Sequence, residues 1–298
     1  MSLRRLMKTA PPLDFVVKFT DESRKKITLT KGKNKMVEIP VFQDKEAIQG
    51  TLKMTPKRQI DHHGLLVELI GVVEFTNQTK QDTEILRVKQ TLLEPGSMAE
   101  EVTVPFKIES EEISFETYNG ANVGLHYYVR FSLYKTPTKS TPWSFSEEVA
   151  IHIPRPPPLS DPAIKDDVGV EDTVHIDFEY NKTKYHLDDV IMGKIFFILC
   201  RVQLRSVELM VVRRESYNVN NDVHNDTQTV LKYELVDGSP VRGETVPIRL
   251  FLKGRGLTPT YTNVNNKFSV RYFLILSMID ESEHRCYNQQ EIFLYRRQ

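Results

Sequence analysis

The chain has 298 residues, with 40 basic and 40 acidic side chains that leave a formal net charge of zero. This balance excludes a global field that would attract nucleic acid or an anionic membrane. Two cysteines cannot build a disulfide framework, and the longest apolar run, residues 195–200, is far shorter than the ~20 residues of a membrane helix. The N-terminus lacks the apolar core of a secretory signal, which predicts a cytosolic protein.

Four sequence landmarks occur twice, in the same order, at an offset of about 140 residues. AIQGTLKM around Gly50 matches VIMGKIFF around Gly193, and VELIGVVEF from Val67 matches VELMVVRRE from Val207. VTVPFKIE at 102–109 is followed in the second half by TVPIRLFL at 245–252, and SEEVAIHIP by QQEIFLYRR. The repetition predicts that one β-domain is present twice, although strand segments also resemble each other by chance.

Alternation of apolar and polar residues dominates the chain, as at Val174–Tyr180 and Leu125–Tyr134. Turn signals such as Asn119-Gly120 and Asp237-Gly238 separate these runs, and helical spacing of apolar residues is missing. The pattern predicts an all-β sandwich architecture. The continuously apolar runs 195–200 and 273–276 predict strands covered on both faces. The Asn-rich stretch Asn218–Asp226 predicts a mobile loop.

A proline-rich segment, Pro154–Pro162, has five prolines in nine residues and falls between the two copies. Such a segment cannot supply the amide donors of a central strand and favours extended polyproline geometry. It predicts an N-terminal sandwich at residues 1–153, a stiff linker at 154–162 and a C-terminal sandwich at 163–298. The alternative is a rigid loop within one domain.

Candidate catalytic groups are few. Asp61, His62 and His63 are the one bunched set of metal-ligand types, but no third ligand group follows at metal spacing, so a polar turn is favoured over a metal hydrolase. Asp188-Asp189 are neighbours on an extended chain and cannot face one substrate together. Cys200 ends an apolar run, which predicts a buried thiol with a raised pKa. Nucleophile and phosphate-binding motifs are missing from the sequence, which therefore predicts no enzyme, no cofactor and no bound metal.

The best candidate for a binding surface is an apolar pair before a tight turn. Leu235 and Val236 directly precede Asp237 and Gly238. At a hairpin tip the pair would be exposed, and exposed apolar loop residues are more often binding anchors than core. The alternative is that the pair merely ends a strand and packs inward.

Long motifs resemble the arrestin-like subunit of retromer, the vacuolar protein sorting 26 family. The motifs, all read from the sequence, are VGVEDTVHIDFEYNKTKYHLDDVIMGKIFFIL (168–199), KYELVDGSPVRGETVPIRLFL (232–252), NKFSVRYFLIL (266–276), QQEIFLYRR (289–297), HGLLVELIGVVEF (63–75) and YNGANVGLHYYVRF (118–131). The resemblance is weak in the first forty or so residues and at Ser132–Trp143.

The resemblance implies two arrestin-like β-sandwiches and a non-catalytic subunit of the retromer coat. Such a subunit is cytoplasmic, peripheral on endosomal membranes, and active in retrograde and recycling transport. It binds the helical-solenoid scaffold subunit through the apolar pair, here Leu235 and Val236, with Asp237 and Gly238 shaping the turn. It also helps to capture sorting-nexin adaptors and the cytosolic tails of membrane cargo in a groove between the sandwiches, where the matching positions are Val168 and Tyr287.

Two alternative functions stay open at the level of the sequence. One is an arrestin-class receptor adaptor, which would need a phosphate-sensing cluster of buried charges. The other is a subunit of a sister endosomal recycling complex. For the favoured retromer subunit, we expect no nucleic acid as a partner and only an indirect association with membranes.

Overall fold

The computed structural model describes residues 12–31, 35–76, 82–138, 141–170 and 172–297. Its described residues form strands, turns and irregular segments, with no helix among them. The chain divides into two compact units that meet in sequence between Ile153 and Pro154. The predicted all-β fold is thus confirmed, while the role of Pro154–Pro162 as a stiff linker stays a prediction. Among the described residues there is no helix long and apolar enough to cross a membrane.

The first unit contains a small and a large antiparallel-rich sheet. The small sheet has the order β1 (Leu13–Phe19), β4 (Ile48–Pro56), β9 (Val102–Ile108). The large sheet has the order β2 (Lys26–Lys31), β3 (Lys35–Gln43), β12 (Pro142–His152), β11 (Val123–Tyr134), β6 (Leu65–Phe75), β7 (Thr83–Leu93), and β10 (Tyr118–Asn119) pairs with β11. Two short strands, β5 (Ile60–His62) and β8 (Gly96–Met98), pair with each other.

The second unit is built in the same way. Its small sheet has the order β13 (Ile164–Val170), β14 (Val174–Tyr180), β16 (Val190–Cys200), β19 (Thr245–Phe251). Its large sheet has the order β15 (Lys184–His186), β22 (Arg285–Tyr295), β21 (Phe268–Asp280), β17 (Leu204–Val219), β18 (Asp222–Asp237), and β20 (Tyr261–Val264) pairs with β21.

The strands that the two units have in common follow one order, which the sequence repetition anticipated. The matched landmarks fall on the pairs β4 and β16, β6 and β17, β9 and β19, β12 and β22, and both β3–β12 and β15–β22 run parallel. Gly50 and Gly193 occupy equivalent places, because a Cβ on either one would lie 2.2 Å from a carbonyl oxygen, that of Lys18 or that of Glu179. Only glycine permits this close approach of neighbouring strands. Among the described residues, the first unit has three strands without a counterpart, β2, β5 and β8, and the second unit has one, β13, at the outer edge of β14.

The core of each unit follows from alternation of side chains along the strands. On β11 the inward residues are at most 1% exposed: Leu125, Tyr127, Val129, Phe131 and Leu133. Their outward neighbours include Arg130 and Ser132, which meet polar partners on the other face of the sheet. The Tyr127 hydroxyl donates to the Phe115 carbonyl at 2.7 Å, which satisfies the one polar atom of this inward row.

Two predictions about local structure are wrong. The run 195–200 does not form a strand covered on both faces, because Phe196 is 41% exposed on the outer face of β16. Asn218–Asp226 is not a mobile loop: β17 continues to Val219, β18 begins at Asp222, and the turn consists of Asn220 and Asn221 with φ of 54° and 69°. Asparagine tolerates positive φ, so the composition specifies a tight hairpin turn.

Candidate protein-binding surfaces

The pair Leu235 and Val236 lies at the C-terminal end of β18, an edge strand of the large sheet. Both side chains are half-buried. The prediction that they would be exposed at a hairpin tip is wrong, because the tip of the β17–β18 hairpin is at Asn220 and Asn221, at the other end of β18. The pair is nevertheless outside the fully buried core, so contact with a partner remains compatible with the fold.

A β-bulge at Leu235 changes how this strand end is presented. Val207 is opposite Val236, but Glu208 is opposite Glu234, which leaves Leu235 without a cross-strand partner. A bulge bends the strand and redirects the side chain, and it interrupts the regular ladder that another strand would need for pairing. The end of β18 therefore offers side chains, rather than a continuous backbone edge, to a partner.

The turn after the pair is fixed by its backbone. Gly238 has φ +85° and its N–H donates to the Arg205 carbonyl at 2.9 Å. The Ser239 hydroxyl accepts from the Leu204 N–H at 2.7 Å. Residues that carry a side chain rarely adopt this φ. Gly238 therefore determines the direction in which the chain leaves β18 after Asp237.

Val241 was missed by the sequence reasoning, although it is 69% exposed in the same loop. Its N–H donates to the Glu244 carboxylate at 3.0 Å, and the Gly243 N–H donates to the Phe197 carbonyl at 2.8 Å. The first bond closes the loop on itself, and the second holds it against β16. An apolar residue between Pro240 and Gly243 in a turn-rich segment was the signal that could have identified it.

Val168 and Tyr287 lie on neighbouring edges of the second unit. Val168 is on β13, the edge of the small sheet, and Tyr287 is on the part of β22 that precedes its pairing with β15. Val168 is 7% exposed, whereas Tyr287 is 64% exposed. Tyr287 is thus available to a partner, and the Val168 side chain is covered.

Side-chain hydrogen bonds close the gap between these edges, which we call the β13–β22 seam (Asp166–Gly169 and Cys286–Gln290). Asn288 Nδ2 donates to the Asp167 carbonyl at 3.0 Å and to Asp166 Oδ2 at 2.9 Å. Gln290 Nε2 donates to Asp166 Oδ2 at 2.6 Å. Asp166 and Val168 point to the same side of β13, since side chains alternate along a strand. The bonds to Asp166 therefore hold the covering of Val168 in place.

A depression of about 370 Å³ lies beside the seam, on the outer face of β13 and β14. His175 lines it, with Nδ1 3.8 Å from Asp167 Oδ2 and Nε2 3.5 Å from Asp177 Oδ1. These separations are too long for hydrogen bonds of ordinary geometry. The residues make the outer side of the seam acidic.

Of the residues singled out for catalysis or metal binding, His62 and Asp189 make hydrogen bonds within the fold. His62 is buried at the end of β5, and burial and the nearby His63 lower its pKa. The Asp189 carboxylate accepts from Lys182 Nζ at 2.5 Å and from the His186 N–H at 2.8 Å, while Asp188 is exposed. Across the described ranges no three His, Cys, Asp or Glu side chains converge as metal ligands would.

The two cysteines are half-buried thiols, so the prediction that Cys200 is fully buried is only partly right. Burial raises the pKa of both Cys200 and Cys286, as the apolar sequence context predicted for Cys200. Each thiol donates weakly to a backbone carbonyl, at 3.4 Å and 3.5 Å. A raised pKa disfavours the thiolate, which is the nucleophilic form.

The fold and the candidate sites together define an arrestin-like β-sandwich protein whose best candidate surfaces are strand edges and loops. The chain belongs to the family described as vacuolar protein sorting-associated protein 26, whose sequence profile matches residues 9–283.

Its relatives match it nearly end to end. Vacuolar protein sorting-associated protein 26B of Arabidopsis thaliana is 40% identical over 291 residues, 96% of this chain and 95% of that protein. Vacuolar protein sorting-associated protein 26 of Dictyostelium discoideum is 39% identical over 93% of this chain and 79% of its own length. The 26B-like protein of Danio rerio is 38% identical over 92% and 84%.

Proposed function

We propose that this chain is a non-catalytic subunit of the retromer endosomal coat. The observation that carries the proposal is membership of the vacuolar protein sorting-associated protein 26 family over nearly the whole chain. In this role the protein is cytoplasmic, associates indirectly with endosomal membranes, and serves retrograde and recycling transport of membrane cargo.

The scaffold contact is proposed for the end of β18. Leu235 and Val236 supply apolar contacts, and Asp237 and Gly238 set the turn that presents them. Val241, exposed in the following loop, extends the same surface. Interfaces of this kind bury ~1,200–2,000 Å² in total, and a few central apolar residues contribute most of the binding free energy.

The adaptor and cargo contact is proposed for the β13–β22 seam. Tyr287 is already exposed, and Val168 becomes accessible when the bonds to Asp166 open. An extended cargo tail, held with a sorting-nexin adaptor, adds to the edge of β13, so that main-chain hydrogen bonds give affinity and the Val168 site gives selectivity.

The scaffold contact is tested by binding of the recombinant helical-solenoid scaffold subunit to Leu235→Asp, Val236→Asn. Loss of a hot spot weakens binding by about thirtyfold or more. Val223→Asp is the matched control, because Val223 is 67% exposed at the opposite end of β18. Val241→Asp is a second variant, at a site too exposed to affect folding. Full binding by both the double variant and Val241→Asp would refute the scaffold assignment.

The cargo contact is tested with Tyr287→Ala and Val168→Asn in binding of a fluorescent cargo-tail peptide in the presence of the adaptor. Both variants are expected to weaken binding and leave scaffold binding unchanged. Tyr233→Ala is the control, since Tyr233 is 51% exposed elsewhere on the second unit. Unchanged affinity in both seam variants would refute this assignment without touching the scaffold contact.

A further inference from the structure

The proline-rich segment Pro154–Pro162 lies outside the scaffold and cargo contacts proposed above. It also lies outside the sheets, because β12 ends at His152 and β13 begins at Ile164. Three consecutive prolines, residues 156–158, have no N–H group, so this part of the chain cannot supply the donors of a sheet ladder. Strand pairing therefore does not account for the composition of the segment.

Proline sterics hold residues 154–158 in the polyproline II conformation. Four of these five residues are proline, which fixes φ at about −65°. A residue that precedes a proline is in turn restricted to an extended ψ, and Pro156 and Pro157 meet both conditions. The resulting helix has three residues per turn and rises about 3.1 Å per residue. It ends at Leu159, where the chain bends.

Hydrogen bonds on both sides attach this helix to the rest of the second unit. Before it, the Arg155 N–H donates to the Arg296 carbonyl at 2.7 Å. After the bend, Asp161 Oδ1 accepts from the Thr183 N–H at 2.8 Å and from the Lys184 N–H at 2.9 Å. Because both ends are held, a ligand that binds the segment does not have to order it first, and the entropy cost of binding is reduced.

The residues between the attachments are presented to solvent, and we call them the proline ridge (Arg155, Pro156, Pro157, Leu159). Arg155, Pro156 and Pro157 are exposed, and Leu159 is fully exposed, at 107%. Pro158 is half-buried and lies three residues after Arg155, on the side of the helix that faces the second unit. The two other sides of the helix, those of Pro156 and Pro157, therefore face solvent.

An exposed polyproline II helix has the chemistry that one kind of groove recognises. Domains of the SH3, WW and EVH1 types bind such helices between aromatic side chains, because the conformation is formed in advance. The helix has no internal hydrogen bonds, so its carbonyl groups remain acceptors for tyrosine and tryptophan donors of the groove. A single exposed leucine needs no explanation, but Leu159 directly continues a row of exposed pyrrolidine rings.

Arg155 gives the ridge a direction and a charge. The rings of a polyproline II helix look similar in either chain direction, so prolines alone do not fix the orientation of a bound domain. A carboxylate beside the groove would accept two parallel hydrogen bonds from the Arg155 guanidinium, which fixes the orientation. Such an exposed pair weakens with salt, so ionic strength is expected to lower the affinity.

We propose that the proline ridge binds a proline-recognition domain of a partner protein, whose groove is lined by aromatic side chains and flanked by a carboxylate. Pro156 and Pro157 pack in the groove, Leu159 fills an apolar site at its end, and Arg155 pairs with the carboxylate. The second unit thereby recruits an accessory protein through a surface that is separate from the scaffold and cargo contacts.

The test screens purified domains of the SH3, WW and EVH1 types, with and without carboxylates beside the groove. Each is titrated with the full chain and with the peptide HIPRPPPLSDP, which has the sequence of residues 152–162. A domain with an acidic flank is expected to bind both. The full chain is expected to bind at least about threefold more tightly than the peptide, because the fold has already ordered the segment.

Substitutions in the full chain locate the contact. Pro157→Ala and Leu159→Ala are each expected to weaken binding at least about tenfold, and Arg155→Glu at least about fivefold, the value of a modest ion pair. Pro247→Ala is the matched control, since Pro247 is an exposed proline on β19, and it is expected to change nothing. All four variants are expected to bind the scaffold subunit like the parent chain, so the two proposals fail independently.

Asp161→Ala releases one end of the segment and keeps every residue of the ridge. Its affinity is expected to fall to that of the peptide, whereas tighter binding than that of the parent chain would show that the attached segment is inaccessible. The proposal would be overturned by that result, by a chain that binds no domain of the screen, or by a peptide that binds where the chain does not. Full binding by a chain with both Pro157→Ala and Leu159→Ala would also overturn it.

Discussion

Gln290 Nε2 donates to Asp166 Oδ2 at 2.6 Å and so joins β22 to β13 beside Val168. The same carboxylate oxygen accepts from Asn288 at 2.9 Å. One exposed carboxylate thus joins the small sheet of the second unit, at its edge strand β13, to the large sheet. The hydrogen bonds are made by side chains, so β13 is attached to β22 without a backbone ladder.

We expect Asp166→Ala to loosen β13 from β22. Loss of two hydrogen bonds at an exposed carboxylate lowers the free energy of unfolding by about 0.5–1.5 kcal/mol, and it exposes Val168 more often. Hydrogen exchange of residues 164–170 should accelerate while exchange in the first unit stays unchanged. Asp177→Ala is the control, since Asp177 is on the outer face of the same sheet. Equal protection of 164–170 in both variants would contradict the bridging role of Asp166.

How much of this arrangement could be read from the sequence depends on the range of the interactions. Alternation at Val174–Tyr180 and the repeated Gly50 and Gly193 landmarks predict strands and a shared architecture, because both are local patterns. The Asp166–Gln290 bond joins residues 124 positions apart, and no local pattern encodes it. The presentation of Leu235 depends on the β-bulge opposite Val207 and Glu208. A bulge is a property of strand pairing, so the local sequence does not reveal it.

The misjudged loop at Asn218–Asp226 has a related cause. A polar, Asn-rich stretch is typical of loops, but here the pairing of β17 with β18 supplies the order that the side chains do not. Tyr217 stacks on His224 with centroids 5.4 Å apart, which adds a cross-strand contact near the turn. Tertiary pairing overrides composition at this hairpin.

Gly50→Ala and Gly193→Ala are expected to destabilise the protein by similar amounts. In each case the new methyl group would lie 2.2 Å from a backbone carbonyl oxygen, which cannot move as a flexible side chain can. Forced packing of this kind costs about 1–3 kcal/mol. Chemical denaturation measures the change. Gly96→Ala is the control, because its Cβ would have only ordinary contacts with His62 at 3.7 Å or more. A Gly193→Ala variant as stable as Gly96→Ala would contradict the equivalence of the two sites.

Stability is expected to fall as the pH drops below the ordinary pKa of histidine. Burial lowers the pKa of His62 and of His186 below 6.5, and each Nδ1 accepts a backbone N–H, from Gly64 or from Asp188. The folded state therefore binds fewer protons than the unfolded state once the pH falls below 6.5 toward the lowered pKa values of the two histidines. The stabilisation that the two neutral histidines provide is complete above about pH 6.5 and is lost as the pH falls below that value.

Replacement of His62 by Asn keeps an acceptor near the Nδ1 position and removes the titration. The free energy of unfolding of His62→Asn is expected to depend less on pH than that of the parent chain between about pH 7 and about pH 5. His284→Asn is the control, since that side chain is 83% exposed. If the stability of the parent chain instead rises as the pH falls through this range, the expected direction of the pH dependence is wrong.

Asp161 attaches the proline-rich segment to the second unit. Its Oδ1 accepts from the Thr183 N–H at 2.8 Å, the Thr183 hydroxyl at 2.9 Å and the Lys184 N–H at 2.9 Å. We expect Asp161→Ala to lower the free energy of unfolding by about 1–3 kcal/mol, the range for hydrogen bonds to a charged group. Limited proteolysis near residues 154–162 should become faster, because the segment loses its attachment to β15. Asp161→Asn retains an oxygen at the same place and should lose less than half as much. Should Asp161→Ala be as resistant to proteolysis as the parent chain, other contacts, such as the Arg155 N–H to the Arg296 carbonyl at 2.7 Å, would be sufficient to hold the segment.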